Sequence, residues 1–122
     1  MTTVKQLAVL IVDDETEFAF TLAERLNLRG YAANVAIDGE KALKFLESEK
    51  ADVVLLDLML PGMHGIEVLR CIRERRPELP VILLTGQAGA KDGIEGMKQG
   101  ARGYLGKPVD LGELLDLFAT LG

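Results

Sequence analysis

The stretch ADVVLLDLMLPG, residues 51–62, decides the fold. Val53, Val54, Leu55 and Leu56 form an apolar run without polar alternation, the pattern of a strand buried on both faces. The run ends in a carboxylate, Asp57, and Leu58-Met59-Leu60 leads from it into a Pro61-Gly62 turn. An ionised carboxylate beside buried apolar surface is costly unless something pairs with it. Asp57 therefore needs partners from elsewhere in the chain.

On either side of this run, apolar stretches alternate with helix-period segments. Leu7 to Val12 is a first strand, followed by a helix with Phe18, Leu22 and Leu26 on one face and Gly30 as its stop. Tyr31 to Ile37 is a weaker strand. Asp38 caps a second helix whose Ala42, Phe45 and Leu46 form an apolar stripe. Val68, Leu69 and Ile72 mark a third helix that ends before Pro77, and Val81 to Thr85 is another buried strand. Ile94 and Met97 mark a short fourth helix, Arg102 to Gly106 a last strand, and Leu111, Leu114, Leu115 and Phe118 the face of a fifth helix. Five strands alternating with five helices predict an α/β fold: a flavodoxin-like, doubly wound parallel sheet in the order 2-1-3-4-5, with residues 1–122 as one domain.

The totals agree with that size and class. The chain has 122 residues, 48% hydrophobic and 27% charged, as in an ordinary globular protein. A formal charge of -5 argues against nucleic acid or an anionic membrane as a direct partner. Cys71 is the only cysteine, which excludes an intrachain disulfide and a thiolate metal cluster. Leu7 to Val12 is too short to span a membrane and no small-residue cleavage site follows it, so a cytoplasmic location is expected.

In a doubly wound sheet ligands bind beyond the carboxyl ends of the strands, where the strand order reverses. The polar residues at those ends are Asp13 and Asp14, Asp57, Thr85 and Lys107. Carboxylates converging on one edge repel, by roughly 4 kcal/mol per pair at about 4 Å and an effective dielectric near 20. Proton sharing or a divalent cation relieves this. Magnesium suits carboxylates plus water and phosphate oxygens; calcium wants more protein oxygens, and zinc wants histidine or cysteine, of which His64 is the only histidine. A metal alone needs neither Lys107 nor Thr85, but a phosphoryl group beside it uses an ammonium and a hydroxyl donor. A carboxylate can itself accept that group, and Asp57, alone on its strand end, is the candidate.

Four segments taken together, VLIVDDE (9–15), DVVLLDLMLPGMHG (52–65), VILLTG (81–86) and GYLGKPVD (103–110), resemble a bacterial two-component response-regulator receiver domain over nearly the whole chain. The resemblance implies that Asp57 accepts a phosphoryl group from a sensor histidine kinase or phosphotransfer protein. It implies that Asp13, Asp14 and the Met59 carbonyl, with Asp57, bind Mg2+, and that Thr85 and Lys107 contact the phosphoryl group. Tyr104 would be the switch aromatic that follows Thr85 and reshapes the face of helix 4, strand 5 and helix 5, with homodimerisation on phosphorylation as one consequence. The Lys107-Pro108 bond is expected to be cis, and Gln87 and Met59 to influence phosphoaspartate lifetime. Such a domain is not an enzyme beyond its own phosphorylation and slow dephosphorylation.

Two other readings share the chemistry. Magnesium-dependent phosphatases with an aspartate nucleophile carry a second acid two residues on, where this chain has Met59. A phosphate-independent protein-binding receiver would not need the complete set of five residues. A nucleotide-binding flavodoxin-like protein is disfavoured because DDE in its first loop would repel phosphate. Finally, residues 86–103 contain six glycines, and Gly93 and Gly96 fall inside the fourth helix, each costing up to about 1 kcal/mol relative to alanine. Either that helix is the least stable part of the fold, or the glycines mark packing too close for side chains.

Overall fold

The computed structural model describes residues 7–86 and 89–121. Five parallel strands, β1 (Ala8–Val12), β2 (Ala32–Ala36), β3 (Val53–Asp57), β4 (Val81–Thr85) and β5 (Gly103–Gly106), lie in the order β2-β1-β3-β4-β5. Between them run α1 (Thr16–Leu28), α2 (Gly39–Ser48), α3 (Gly65–Arg75) and α4 (Gly89–Lys98), and α5 (Leu111–Ala119) follows β5. This is the expected doubly wound arrangement. Three strands are shorter by a residue at one or both ends than the apolar runs suggest. The flanking residues still bond: Leu7 O accepts from the Ala32 N–H and the Arg102 N–H donates to Val81 O.

β3 and β4 are buried at every position because both faces of the sheet are covered. On one face Leu10, Val54, Leu56 and Leu83 pack with Ala42 of α2 and Val68, Leu69 and Ile72 of α3. On the other Val9, Ile11, Leu55 and Leu84 pack with Ala19, Leu22 and Leu26 of α1 and with Leu114 and Phe118 of α5. Asp38 caps α2 as expected, accepting from the Lys41 N–H at 2.8 Å. His64 is the N-cap of α3, its Nδ1 accepting from the Ile66 N–H at 3.1 Å. That local structural job accounts for the exposed histidine.

The turn after β3 uses two glycines for different reasons. Gly62 has φ +77°, a conformation that side chains resist. Gly65, the first residue of α3, sits so close to the end of β3 that a Cβ there would lie 2.5 Å from Leu58 Cα and 2.6 Å from the Asp57 carbonyl oxygen. α3 can therefore seat directly against the strand that ends in Asp57, and the Gly65 N–H donates to Leu58 O at 3.1 Å.

α4 differs from the expectation built on its apolar residues. Ile94 and Met97 do lie on it, but they are 53% and 42% exposed, and its buried positions include Gly93 and Gly96. A Cβ at Gly96 would overlap the Leu83 side chain, and one at Gly93 would come within 2.7–2.9 Å of three atoms of the Tyr104 ring. Close packing is thus the structural role of both glycines.

Gly65→Ala should lower the stability of the chain by about 1–3 kcal/mol, because backbone at the end of β3 cannot yield as a side chain can. Urea denaturation of the variant beside the wild-type chain measures it.

Candidate functional site

Parallel strands present all their carboxyl ends at one edge, and the register decides which residues meet there. Val12 pairs with Leu56 and Asp57 with Leu84, so Asp13, Asp57 and Thr85 leave adjacent strands at nearly the same level. Asp13 and Asp57 are 0% and 4% exposed, whereas Asp14, one residue into the loop, is exposed. One carboxylate oxygen from each of Asp13, Asp14 and Asp57 lies within 4.8 Å of the others.

Local hydrogen bonds fix two of these carboxylates. Asp13 Oδ1 accepts from the Glu15 N–H at 2.9 Å, which orients it across the start of α1. Asp57 Oδ1 accepts from the Met59 N–H at 3.0 Å, folding the chain after β3 back beside the carboxylate. The other oxygen of each faces Lys107. The ammonium is 2.7 Å from Asp13 Oδ2, 2.7 Å from Glu15 Oε1 and 3.4 Å from Asp57 Oδ2, and it stands 4.8 Å from the centre of the Phe18 ring. The Lys107-Pro108 bond is cis, as expected.

Distance and geometry disagree at Asp13. Its Oδ2 is in ion-pair range of Lys107, yet among the described residues it receives no hydrogen bond of adequate direction, and it is fully buried. The lysine aims its hydrogen bonds at Glu15 and Asp57 instead. A buried carboxylate oxygen left without a directed donor, next to two more carboxylates, is a hard oxygen site short of positive charge, and it fits Mg2+ by its chemistry.

The electrostatics express the same deficit. Burial pushes the Asp13 carboxyl up, and the charge of Asp57 adds to this; Lys107 and the Glu15 N–H pull it down without cancelling the rise. Burial alone would lower the Lys107 ammonium, but Asp13, Glu15 and Asp57 together hold it well above the ordinary lysine range. The two shifts are compatible because one cation is shared among several carboxylates. The lysine gains from all of them, and Asp13 receives only part of it.

Thr85 is buried, and its hydroxyl donates to the Leu105 carbonyl at 3.4 Å, so it is turned toward β5 and not toward Asp57. Tyr104, the residue before Leu105, is 41% exposed with its ring against Gly93. The structure thus brings together Asp13, Asp14, Asp57 and Lys107, with Met59 beside them. Gln87 lies outside the described residues. Sequence reasoning missed Glu15 and Phe18 as neighbours of Lys107, about 90 residues apart in the chain. Their one sequence signal was position just after the Asp13-Asp14 pair. Among the described residues no helix is long and apolar enough to cross a membrane.

Comparison with known proteins agrees with this geometry. The sequence profile of the response regulator receiver domain matches residues 9–119. Response regulator MprA of Mycolicibacterium vanbaalenii is 37% identical over 107 residues, covering 88% of this chain and 46% of that protein. The Francisella response regulator 1452 receiver domain superimposes with a TM-score of 0.87 at 32% identity, covering 95% of this chain and 96% of the other. A CheY-like receiver domain protein from Methanospirillum hungatei gives 0.88 at 30% identity, covering 96% and 94%. The chain belongs to the response regulator receiver family, whose members are phosphorylation-dependent signalling domains and not classical enzymes. It spans about half the length of the curated relatives it matches.

Asp13→Asn should stabilise the metal-free chain at pH 7, because burial makes the ionised Asp13 carboxylate unfavourable in the folded chain. Asp13 titrates higher in the folded chain than its ordinary value of 3.8, so its ionisation costs stability as pH rises through that interval. The two proteins should converge below the ordinary value, and added Mg2+ should raise the melting temperature of the wild type far more than that of the variant.

Proposed function

We propose that this chain, acting as one receiver domain, is a switch in which Asp57 accepts a phosphoryl group from the phosphohistidine of a sensor kinase or phosphotransfer protein. The observation that carries this reading is the convergence of three carboxylate oxygens within 4.8 Å beside the Lys107 ammonium. In the transfer, the donor's P–N bond breaks and its electron pair returns to the imidazole, while a bond forms between phosphorus and an Asp57 oxygen. Water later cleaves the O–P bond, restoring the carboxylate and releasing inorganic phosphate.

Asp13, Asp14, Asp57 and the Met59 carbonyl would hold Mg2+, which when bound supplies positive charge for the phosphoryl oxygens. The Met59 N–H fixes the plane of the Asp57 carboxylate for attack. Lys107 needs to move little to meet a phosphoryl oxygen, since it already faces Asp57 Oδ2. Thr85 must give up its long hydrogen bond to Leu105 before it can donate to the incoming group. That exchange is the relay: it releases a contact with the residue adjoining Tyr104 and favours a new position of the ring off α4. The face of α4, β5 and α5 then presents a changed surface to an effector or to a second copy of the domain.

Intact-mass measurement with a small acyl or carbamoyl phosphate should show a single phosphoryl adduct on the wild-type chain that requires Mg2+ and is absent from Asp57→Ala. An adduct on the variant at the wild-type level, or none on the wild type with Mg2+ bound, overturns the reading.

The relay has its own test. The chain has two tyrosines and no tryptophan, so in a Tyr31→Phe background tyrosine emission reports Tyr104 alone. Phosphorylation should change that emission, and Gly93→Ala should change it before phosphorylation by forcing the ring from its slot. A Tyr104 signal indifferent to phosphorylation removes the residue from the relay.

A further inference from the structure

We propose that Glu15 is the anchor that takes Lys107 when a divalent cation enters the Asp13–Asp14–Asp57 cluster, and that it thereby sets how tightly the cluster holds the cation. The inference rests on the reading of that cluster as a cation site.

Lys107 stands in the way of the cation. Its ammonium touches Asp13 Oδ2 and Asp57 Oδ2, two of the three carboxylates that would be ligands. Two cations cannot share Asp13 Oδ2 at contact distance without strong repulsion, so occupancy by a metal ion requires the lysine to give up that oxygen. Where it goes is written in the geometry. Of its three carboxylate neighbours among the described residues, only Glu15 receives a hydrogen bond that is both short, at 2.7 Å, and well directed; Asp57 is at 3.4 Å, and Asp13 is close but misaligned.

Glu15 also differs from the other two in burial. Its side chain is 63% exposed, against 0% for Asp13 and 6% for Asp57, so it stays at the rim, outside the ligand cluster. The ring of Phe18, in the first turn of α1, stands 4.8 Å from the ammonium and offers the lysine a second favourable contact away from the ligand oxygens. Without the Glu15 carboxylate, the carboxylates left within 4 Å of Lys107 among the described residues are the ligands themselves, and the lysine becomes a stronger competitor for them. Glu15 acts through Lys107 and is a positioning residue; it does not bind the metal.

Calorimetric titration with Mg2+ of the wild-type chain, Glu15→Gln, Lys107→Met and the double variant separates this role from simple loss of charge. Glu15→Gln should weaken Mg2+ binding roughly three- to fivefold when Lys107 is present, and by less than about twofold in the Lys107→Met background. Lys107→Met alone should tighten binding. Glu15→Asp, which keeps the charge but shortens the reach, should behave like Glu15→Gln.

Equal weakening in both backgrounds, a Glu15→Asp variant indistinguishable from wild type, or unchanged affinity in Glu15→Gln each overturns the inference while leaving the cation site intact. Failure of the wild-type chain to bind Mg2+ at all overturns the cation reading of the cluster, and the inference falls with it.

Discussion

A single ammonium, Lys107, sits among Asp13, Glu15 and Asp57, and the rest of the site follows from the fact that it cannot neutralise them all. In bulk water four nearby charges would be screened and inconsequential. Here Asp13 and Asp57 are buried at the mouth of the sheet, where dehydration makes each ionised carboxylate costly and each shared positive charge valuable. The arrangement is therefore short of positive charge, which is what the proposed reading, a cation followed by a phosphoryl group, would draw on. A site balanced in the metal-free chain would have no such tendency.

The fold builds this imbalance by geometry that no single segment contains. Parallel strands point their carboxyl ends the same way, and the β1–β3 register sets Asp13 level with Asp57. The core on both faces holds β1 and β3 rigidly, with Leu10, Ile11, Leu55 and Leu56 fully buried, so the carboxylates cannot drift apart to relieve repulsion. Gly65 lets α3 close against the end of β3. The hydrophobic energy of the core thus stabilises a juxtaposition that electrostatics alone would disperse.

At the far side of the sheet, α4 shows how a helix can be held by what it lacks. Its buried glycines let its backbone approach Leu83 and the Tyr104 ring, while Ile94 and Met97 face outward. The Tyr104 ring rests on bare helix backbone, and beside the backbone pairing of β4 with β5 the Thr85 hydroxyl reaches the adjoining Leu105 carbonyl by one long hydrogen bond of 3.4 Å. The proposed relay assigns the movement of the ring to the exchange of that one hydrogen bond.

The sequence by itself determined the element order, the parallel sheet and the five residues at its strand ends. Those properties are carried by local patterns: unbroken apolar runs in β3 and β4, helical spacing between them, and a polar residue where each run stops. Asp38 as a cap was legible for the same local reason. Only the tertiary structure decided which charges meet. Glu15 and Phe18 look like ordinary residues at the start of a helix, and nothing near them indicates that Lys107, in the loop after β5, will lie against both. The direction of the Thr85 hydroxyl, the outward face of Ile94 and Met97, and the packing role of Gly93 and Gly96 were likewise settled by neighbours from distant segments. Periodicity records how often a residue faces one side. Which side becomes the inside depends on what packs there, and for α4 it is the sheet face carrying Leu83 and Tyr104 that chose the glycines.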